Sequence, residues 1–215
     1  MSVSERLTQE DRILREIRMT LSTFRSVSPT EGETRRRGAI YASSPITSGL
    51  RLFNFMRELE IKSVKDLKAH PLFKKKVMNL NLTEGEHFGA KLRSEGYSLV
   101  IVPGSFFAKS WAQEHYMSLW RQVIVRFASK LASNLHWEWS TGCVEEFLIA
   151  IEHEKHILDF NCKRIENLNA HADLIRKAVD QIDHWGFEPK PLYDLWRQID
   201  LALDNVRKRR RVSVS

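Results

Sequence analysis

The chain is 215 residues long with a formal net charge of +7; at 42% hydrophobic and 28% charged residues it fits one globular domain with appendages. Cys143 and Cys162 are too few for a disulfide framework or a structural zinc site, and no window approaches the run of apolar residues that a membrane span requires. The charged start of the chain lacks a signal peptide's apolar core, so a cytoplasmic protein without membrane contact is expected.

Leu7, Ile13, Leu14, Ile17, Leu21 and Phe24 recur at helical spacing, which predicts an amphipathic helix over 5–25, and a polar linker follows from Ser26 to Arg37. Ala39-Ile-Tyr-Ala42 reads as the first core strand, Ser43 to Gly49 as a loop of small residues, and a helix then runs to about Glu60. Ser63 to Leu82 reads as a helical insert with Ser63 as a cap. Thr83 with Glu86 three residues on has capping-box spacing, which predicts a helix from Thr83 to Gly96. A buried strand over 98–102 ends at Pro103-Gly104, and a long helix is predicted from Trp111 to Leu135. His136-Trp-Glu-Trp139 reads as a strand, with Trp137 and Trp139 on one face; helix 143–153 and a last strand 156–160 follow. Two further helices are expected over 164–184 and 191–206.

Strands alternating with helices predict an α/β fold: a doubly wound, Rossmann-like parallel sheet with extra N- and C-terminal helices. The expected organisation is a helix and linker over 1–37, an α/β domain over 38–161 with its insert at about 63–82, and C-terminal helices with a basic tail over 162–215.

Arg35–Arg37 and Arg207–Arg211 form two basic runs. They read as solvated segments or as contacts for nucleic acid or an acidic partner; no zinc finger, helix-turn-helix or RNA-binding aromatic motif accompanies them. GxGxxG, P-loop, GxSxG and HExxH motifs are lacking, and no metal or cofactor is expected.

The richest stretch is Trp139 to Glu146. Ser140 and Gly142 turn the chain, and helical apolar spacing resumes at Val144. A hydroxyl, a glycine and a carboxylate thus gather where a strand gives way to a helix, the corner at which open α/β sheets bind ligands and free helix N–H groups favour an anion. Glu145 and Glu146 point about 100° apart on a helix, so one faces the crevice and the other solvent. Ser140 also reads as a helix N-cap, Ser43, Ser44, Thr47 and Ser48 as a plain turn, and Tyr41 as core. Trp111, Tyr116, Trp120, Trp137 and Trp139 read as core or a subunit interface, or as base-stacking groups.

Tyr41-Ala-Ser-Ser-Pro-Ile46-Thr-Ser-Gly49 resembles the first strand and sugar-wrapping loop of the nucleoside 2-deoxyribosyltransferase superfamily. Ser140-x-Gly142-x-x-x-Glu146-x-x-x-Ala150 resembles its second signature, with a Gly four residues before the catalytic Glu and an Ala four after it. A Ser six residues before the Glu is similar to the branch that hydrolyses 2′-deoxynucleoside 5′-monophosphates. The resemblance covers about 38–161; Tyr116 to Trp120 occupies the place of a family Asp, and the insert and terminal helices lie outside the family's minimal domain.

The resemblance implies an N-glycosidase or deoxyribosyltransferase acting on a nucleotide or nucleoside. Glu146 would be the nucleophile on the anomeric carbon, and Tyr41 would position it. Ser43, Ser44, Ile46, Thr47, Ser48 and Gly49 would wrap the sugar or phosphate, with Ser140 and Gly142 at the helix start and Arg51 adding charge. It also implies a homodimer or larger assembly, for which helix 111–135 is the candidate interface. The competing reading is a nucleotide-sensing or nucleic-acid-associated module that keeps the pocket without turnover.

Overall fold

The computed structural model describes residues 39–106 and 111–212, together with Asp11, Arg12, Arg15 and Met19. Those four residues are helical; the remainder of the predicted helix 5–25, the linker and Arg35–Arg37 lie outside the described residues.

Strand β1 (Ala39–Ser43) leads through a loop into helix α1 (Leu50–Glu58), then α2 (Val64–Ala69). A π-helical stretch, Lys74–Met78, runs directly into α3 (Asn79–Ser94). Next come β2 (Val100–Ile101), α4 (Gln113–Arg126), β3 (Ala128–Ser133), a single 3-10 turn (Trp137–Trp139), α5 (Thr141–Glu152) and β4 (His156–Leu158). Helices α6 (Leu168–His184) and α7 (Lys190–Val212) complete the chain.

The strands form one parallel sheet in the order β2-β1-β3-β4, flanked by helices, consistent with the predicted Rossmann-like, doubly wound fold. Successive strand residues face opposite sides. Ile40, Ala42, Ala132 and Leu158 pack against Phe88 and Leu92 of α3, while Tyr41, Leu131 and Ile157 join a larger core with α1, α4 and α5. That second core extends into α6 and α7 through Ile175, Ile182, Leu192 and Ile199. Among the described residues, no helix is long and apolar enough to cross a membrane.

Four expectations require correction. The helix predicted to Leu135 stops at Arg126, and 128–133 is the strand paired with β1. Phe127 and Leu131 mimic a helical period, but Ala128, Ala132 and Ser133 are small enough to lie beside Ala39, Ala42 and Ser43 at the sheet centre. The predicted strand 136–139 is instead a 3-10 turn entered through His136 at φ 58. Trp137 and Trp139 therefore share no strand face: Trp137 lies 4.5 Å from Phe147, and Trp139 stacks on Trp185 at 5.3 Å. Thr83 caps nothing, because α3 continues from the π-helical stretch and Thr83 falls inside it. The last helix, expected to end at 206, runs on through the basic run: Arg207 to Arg211 are the last part of α7, and Arg207 pairs with Asp204 at 3.0 Å.

Gly89 shows how closely α3 approaches the sheet. A Cβ built there would lie 2.5 Å from Cγ2 of Val102, a stiff β-branched side chain. Gly89→Ala gains helix propensity of about 1 kcal/mol, yet overpacking of about 1–3 kcal/mol outweighs it. Denaturant unfolding should show net destabilisation that Val102→Ala partly relieves in the double variant. An additive double variant would contradict this account of the contact.

Candidate functional site

Because Tyr41 and Ser43 are two residues apart on β1, they project from the same face of the sheet, toward α5. Glu146, in the second turn of α5, meets them there. The Tyr41 hydroxyl donates to its Oε1 at 2.6 Å, and Ser43 Oγ donates to its Oε2 at 2.5 Å. The carboxyl is only 6% exposed, and burial pushes its pKa up to about 7 despite the opposing effect of the two hydroxyl donors. Burial, with the neighbouring Glu146 charge second, raises the Tyr41 phenol well above its ordinary value. The Cys143 thiol is raised for the same reasons in the same order, which makes it a poor nucleophile. Glu145 sits half-buried beside Arg121, where burial raises its pKa and the guanidinium lowers it.

Ser140 caps α5, its Oγ accepting from Cys143 N–H at 3.4 Å. The same oxygen lies 2.8 Å from Ser48 Oγ, which ties the loop after β1 to the helix start. The loop is also held from α3. The Asn81 amide donates to the carbonyls of Ile46 at 3.0 Å and Ser48 at 3.1 Å. Arg51 Nε in turn donates to Asn81 Oδ1 at 3.1 Å, and its other guanidinium nitrogen pairs with Glu84.

Above Glu146 opens a cavity of about 610 Å³. It lies by the carboxyl ends of β1 and β3, where the strand order reverses, the crevice in which this sheet type holds ligands. Of the residues singled out in the sequence, Ser44, Ile46, Thr47, Ser48, Ser140, Gly142 and Glu146 line it. Tyr41 and Ser43 do not; they are buried behind the carboxylate and act on it directly. Ser43 is thus placed as a Glu146 donor and not as a sugar or phosphate contact. Gly49 and Arg51 are also absent from the lining. Gly49 enters α1 at φ 95, and a Cβ there would lie 2.9 Å from that of Pro45, so its place is to shape the loop. The Arg51 guanidinium is engaged by Asn81 and Glu84.

Trp111, Tyr116 and Trp120 line the cavity with Phe106, joined by edge-on ring contacts of 5.4–6.2 Å. Sequence reasoning missed Asn81 and the cavity contributions of Lys68, Lys74, Met78, Asn79 and Leu82, all from the insert. A signal for Asn81 existed. Val77, Asn81, Gly85, Phe88 and Leu92 are a buried stripe at helical spacing, and a polar amide on such a stripe needs partners. Ser44 Oγ is buried without a hydrogen-bond partner among the described residues. Among those residues, no cluster of three His, Cys, Asp or Glu side chains is arranged to hold a metal ion.

The arrangement offers an oriented carboxylate able to attack an electrophilic carbon or stabilise a cation, a hydroxyl-rich helix start, and an aromatic wall. No protein-family model, curated protein or solved structure matches the chain, so the chemistry of these side chains carries the functional argument.

Proposed function

We propose that the protein cleaves the N-glycosidic bond of a nucleoside or nucleoside 5′-monophosphate through a glutamate nucleophile. The observation that carries this reading is the Glu146 carboxylate, facing the cavity with one hydroxyl donor fixed on each oxygen. A buried carboxylate without a cation beside it is costly to ionise, and a site that does chemistry is where such a cost persists.

In this mechanism a Glu146 oxygen bonds to the anomeric carbon as the C–N bond breaks. The bond's electron pair leaves with the base, which takes a proton from water. A water molecule then attacks the same carbon, the ester C–O bond breaks, and its electron pair returns to the carboxylate. The water's remaining proton passes to solvent. The products are free base and free sugar or sugar phosphate; a second base in place of water gives base exchange. The negative carboxylate stabilises the oxocarbenium-like sugar in both steps. Phe106, Trp111, Tyr116 and Trp120 suit the base, and Ser48, Ser140 and the α5 N-terminus suit the sugar or phosphate.

The direct test is incubation with a panel of nucleosides and 5′-monophosphates, with chromatography for free base. Release from monophosphates alone selects the hydrolase branch, and base swapping selects the transferase. Saturable binding without release would replace the proposal with a non-catalytic nucleotide-binding module.

The nucleophile must be ionised, and burial raises its pKa to about 7. We therefore expect kcat/KM to rise about tenfold per pH unit below 7 and to level off above it. A profile already flat at pH 5 would rule out Glu146 as the titrating nucleophile.

A further inference from the structure

Lys68 of α2 and Lys74 of the π-helical stretch line the cavity and are otherwise exposed to solvent, which puts them at its mouth. Among the described residues, they and Glu146 are the only charged groups in the lining. Neither lysine has an ion-pair or hydrogen-bond partner there. By contrast, Arg51, the nearest guanidinium in sequence to the loop, is engaged by Asn81 and Glu84. The π-helical stretch bears on their placement. π-helical turns are rare and frequent at functional sites, and the extra residue rotates the chain relative to an ordinary helix. Lys74 and Met78 of this stretch, with Asn79 and Leu82 just after it, line the cavity.

A cavity of about 610 Å³ lies in the middle of the range for ligand sites and exceeds what a small sugar needs. An aromatic side, with Glu146 below and two uncompensated cations at the mouth, suits a ligand whose anionic end projects outward. We propose that Lys68 and Lys74 form a phosphate-chain subsite, so that the preferred ligand is a nucleotide carrying a diphosphate or longer chain and not a monophosphate. This inference rests on the proposed N-glycosidic reading for the chemistry at Glu146 and replaces the monophosphate of that reading with a longer phosphate chain; the bonds made and broken are unchanged. Two sources of such a chain share this chemistry: a nucleoside 5′-triphosphate and a dinucleotide with an internal diphosphate.

The test uses the full chain and its Lys68→Gln/Lys74→Gln variant. A Lys75→Gln/Lys76→Gln variant is the control, since it loses the same charge from positions next to Lys74 that lie outside the cavity lining. All four lysines are exposed, so both variants should melt like the parent. Inorganic tripolyphosphate is the base-independent probe, titrated calorimetrically at moderate salt. Loss of both cavity lysines should weaken it about tenfold or more, as expected for charged hydrogen bonds, while the control stays within about twofold of the parent. Equal weakening in both variants, or no change in either, overturns the proposal.

Competition by a nucleoside, its 5′-monophosphate, its 5′-triphosphate and a dinucleotide then identifies the source; a monophosphate that competes as well as both longer ligands also overturns it. The two readings fail separately. Polyphosphate binding at the lysines with no base released from any nucleotide would sink the glycosidase reading alone. Base release whose preference among phosphate lengths survives Lys68→Gln/Lys74→Gln would sink the subsite alone.

Discussion

Glu146→Gln should lower base release by on the order of 10³-fold or more while the fold and ligand binding persist. The substitution keeps the side chain's shape but removes the attacking oxygen's charge and the field that stabilises the oxocarbenium. Glu145→Gln, one residue along and absent from the cavity lining, should stay near parental activity. An active Glu146→Gln would end the proposed mechanism.

The same substitution should stabilise the protein above neutral pH, and the sign follows from linkage. Burial raises the Glu146 pKa from 4.5 to about 7, so between those values the native state holds a proton that the unfolded chain has released. Stability contributed by this group is therefore fully present below about pH 4.5 and is lost as pH rises to about 7. The loss is about 3.5 kcal/mol at most, from about 1.4 kcal/mol per pKa unit. Glutamine does not titrate. Denaturant unfolding at pH 8 should then show Glu146→Gln more stable than the parent, with the advantage shrinking toward pH 4.5. A variant less stable at pH 8 would mean that the Tyr41 and Ser43 hydrogen bonds outweigh the desolvation of the charge.

The second large effect is expected at a residue that touches no reacting atom. Asn81→Leu removes both amide donors that hold the carbonyls of Ile46 and Ser48, and the acceptor used by Arg51. Leaving such groups unpaired costs about 1–3 kcal/mol. The larger consequence is positional: the loop carrying Ser44, Thr47 and Ser48 loses its anchor, and misplacement by about 1 Å costs on the order of 10²-fold in catalytic efficiency. We expect kcat/KM to fall by that order, mostly through KM. Asn81→Asp is informative because it can still accept from Arg51 but cannot donate to the two carbonyls. Parental KM in Asn81→Asp would show that the loop holds itself.

What could be read from the sequence was what repeats locally. The apolar run at Ala39–Ala42 marked the strand that carries Tyr41, though Ser43 was read as loop and is its last residue, and the helical spacing after Ser140 separated Glu145 from Glu146. Periodicity cannot say which faces meet. Tyr41 and Glu146 are 105 positions apart, and only the parallel pairing of β1 with β3 brings them together. The strand β3 itself was hidden because its residues are small rather than strongly β-forming, and Phe127 and Leu131 continued the helical beat of α4. The aromatic run 136–139 carried strong β propensity, which lost to a turn that wedges Trp137 against Phe147. The insert looked peripheral because nothing in Ser63 to Leu82 reveals that Lys68 and Lys74 line the cavity or that Asn81 bonds the loop after β1.

Helix α5 is covered along nearly its whole length, from Cys143 and Val144 through Glu146 to Ile151, and α7 packs along it. Helix α2, at the cavity's mouth, has six residues and buries only Leu67. The carboxylate therefore stands on the stiff side of its chamber, and the cationic side is the pliable one. Short, thinly anchored helices open at little free-energy cost, whereas a fully enclosed one opens only with the whole fold. Amide exchange should accordingly be fastest in α2 and among the slowest in α5. Substrate entry and product escape would then be clocked by breathing of residues 64–78, while the reacting geometry keeps still throughout the cycle.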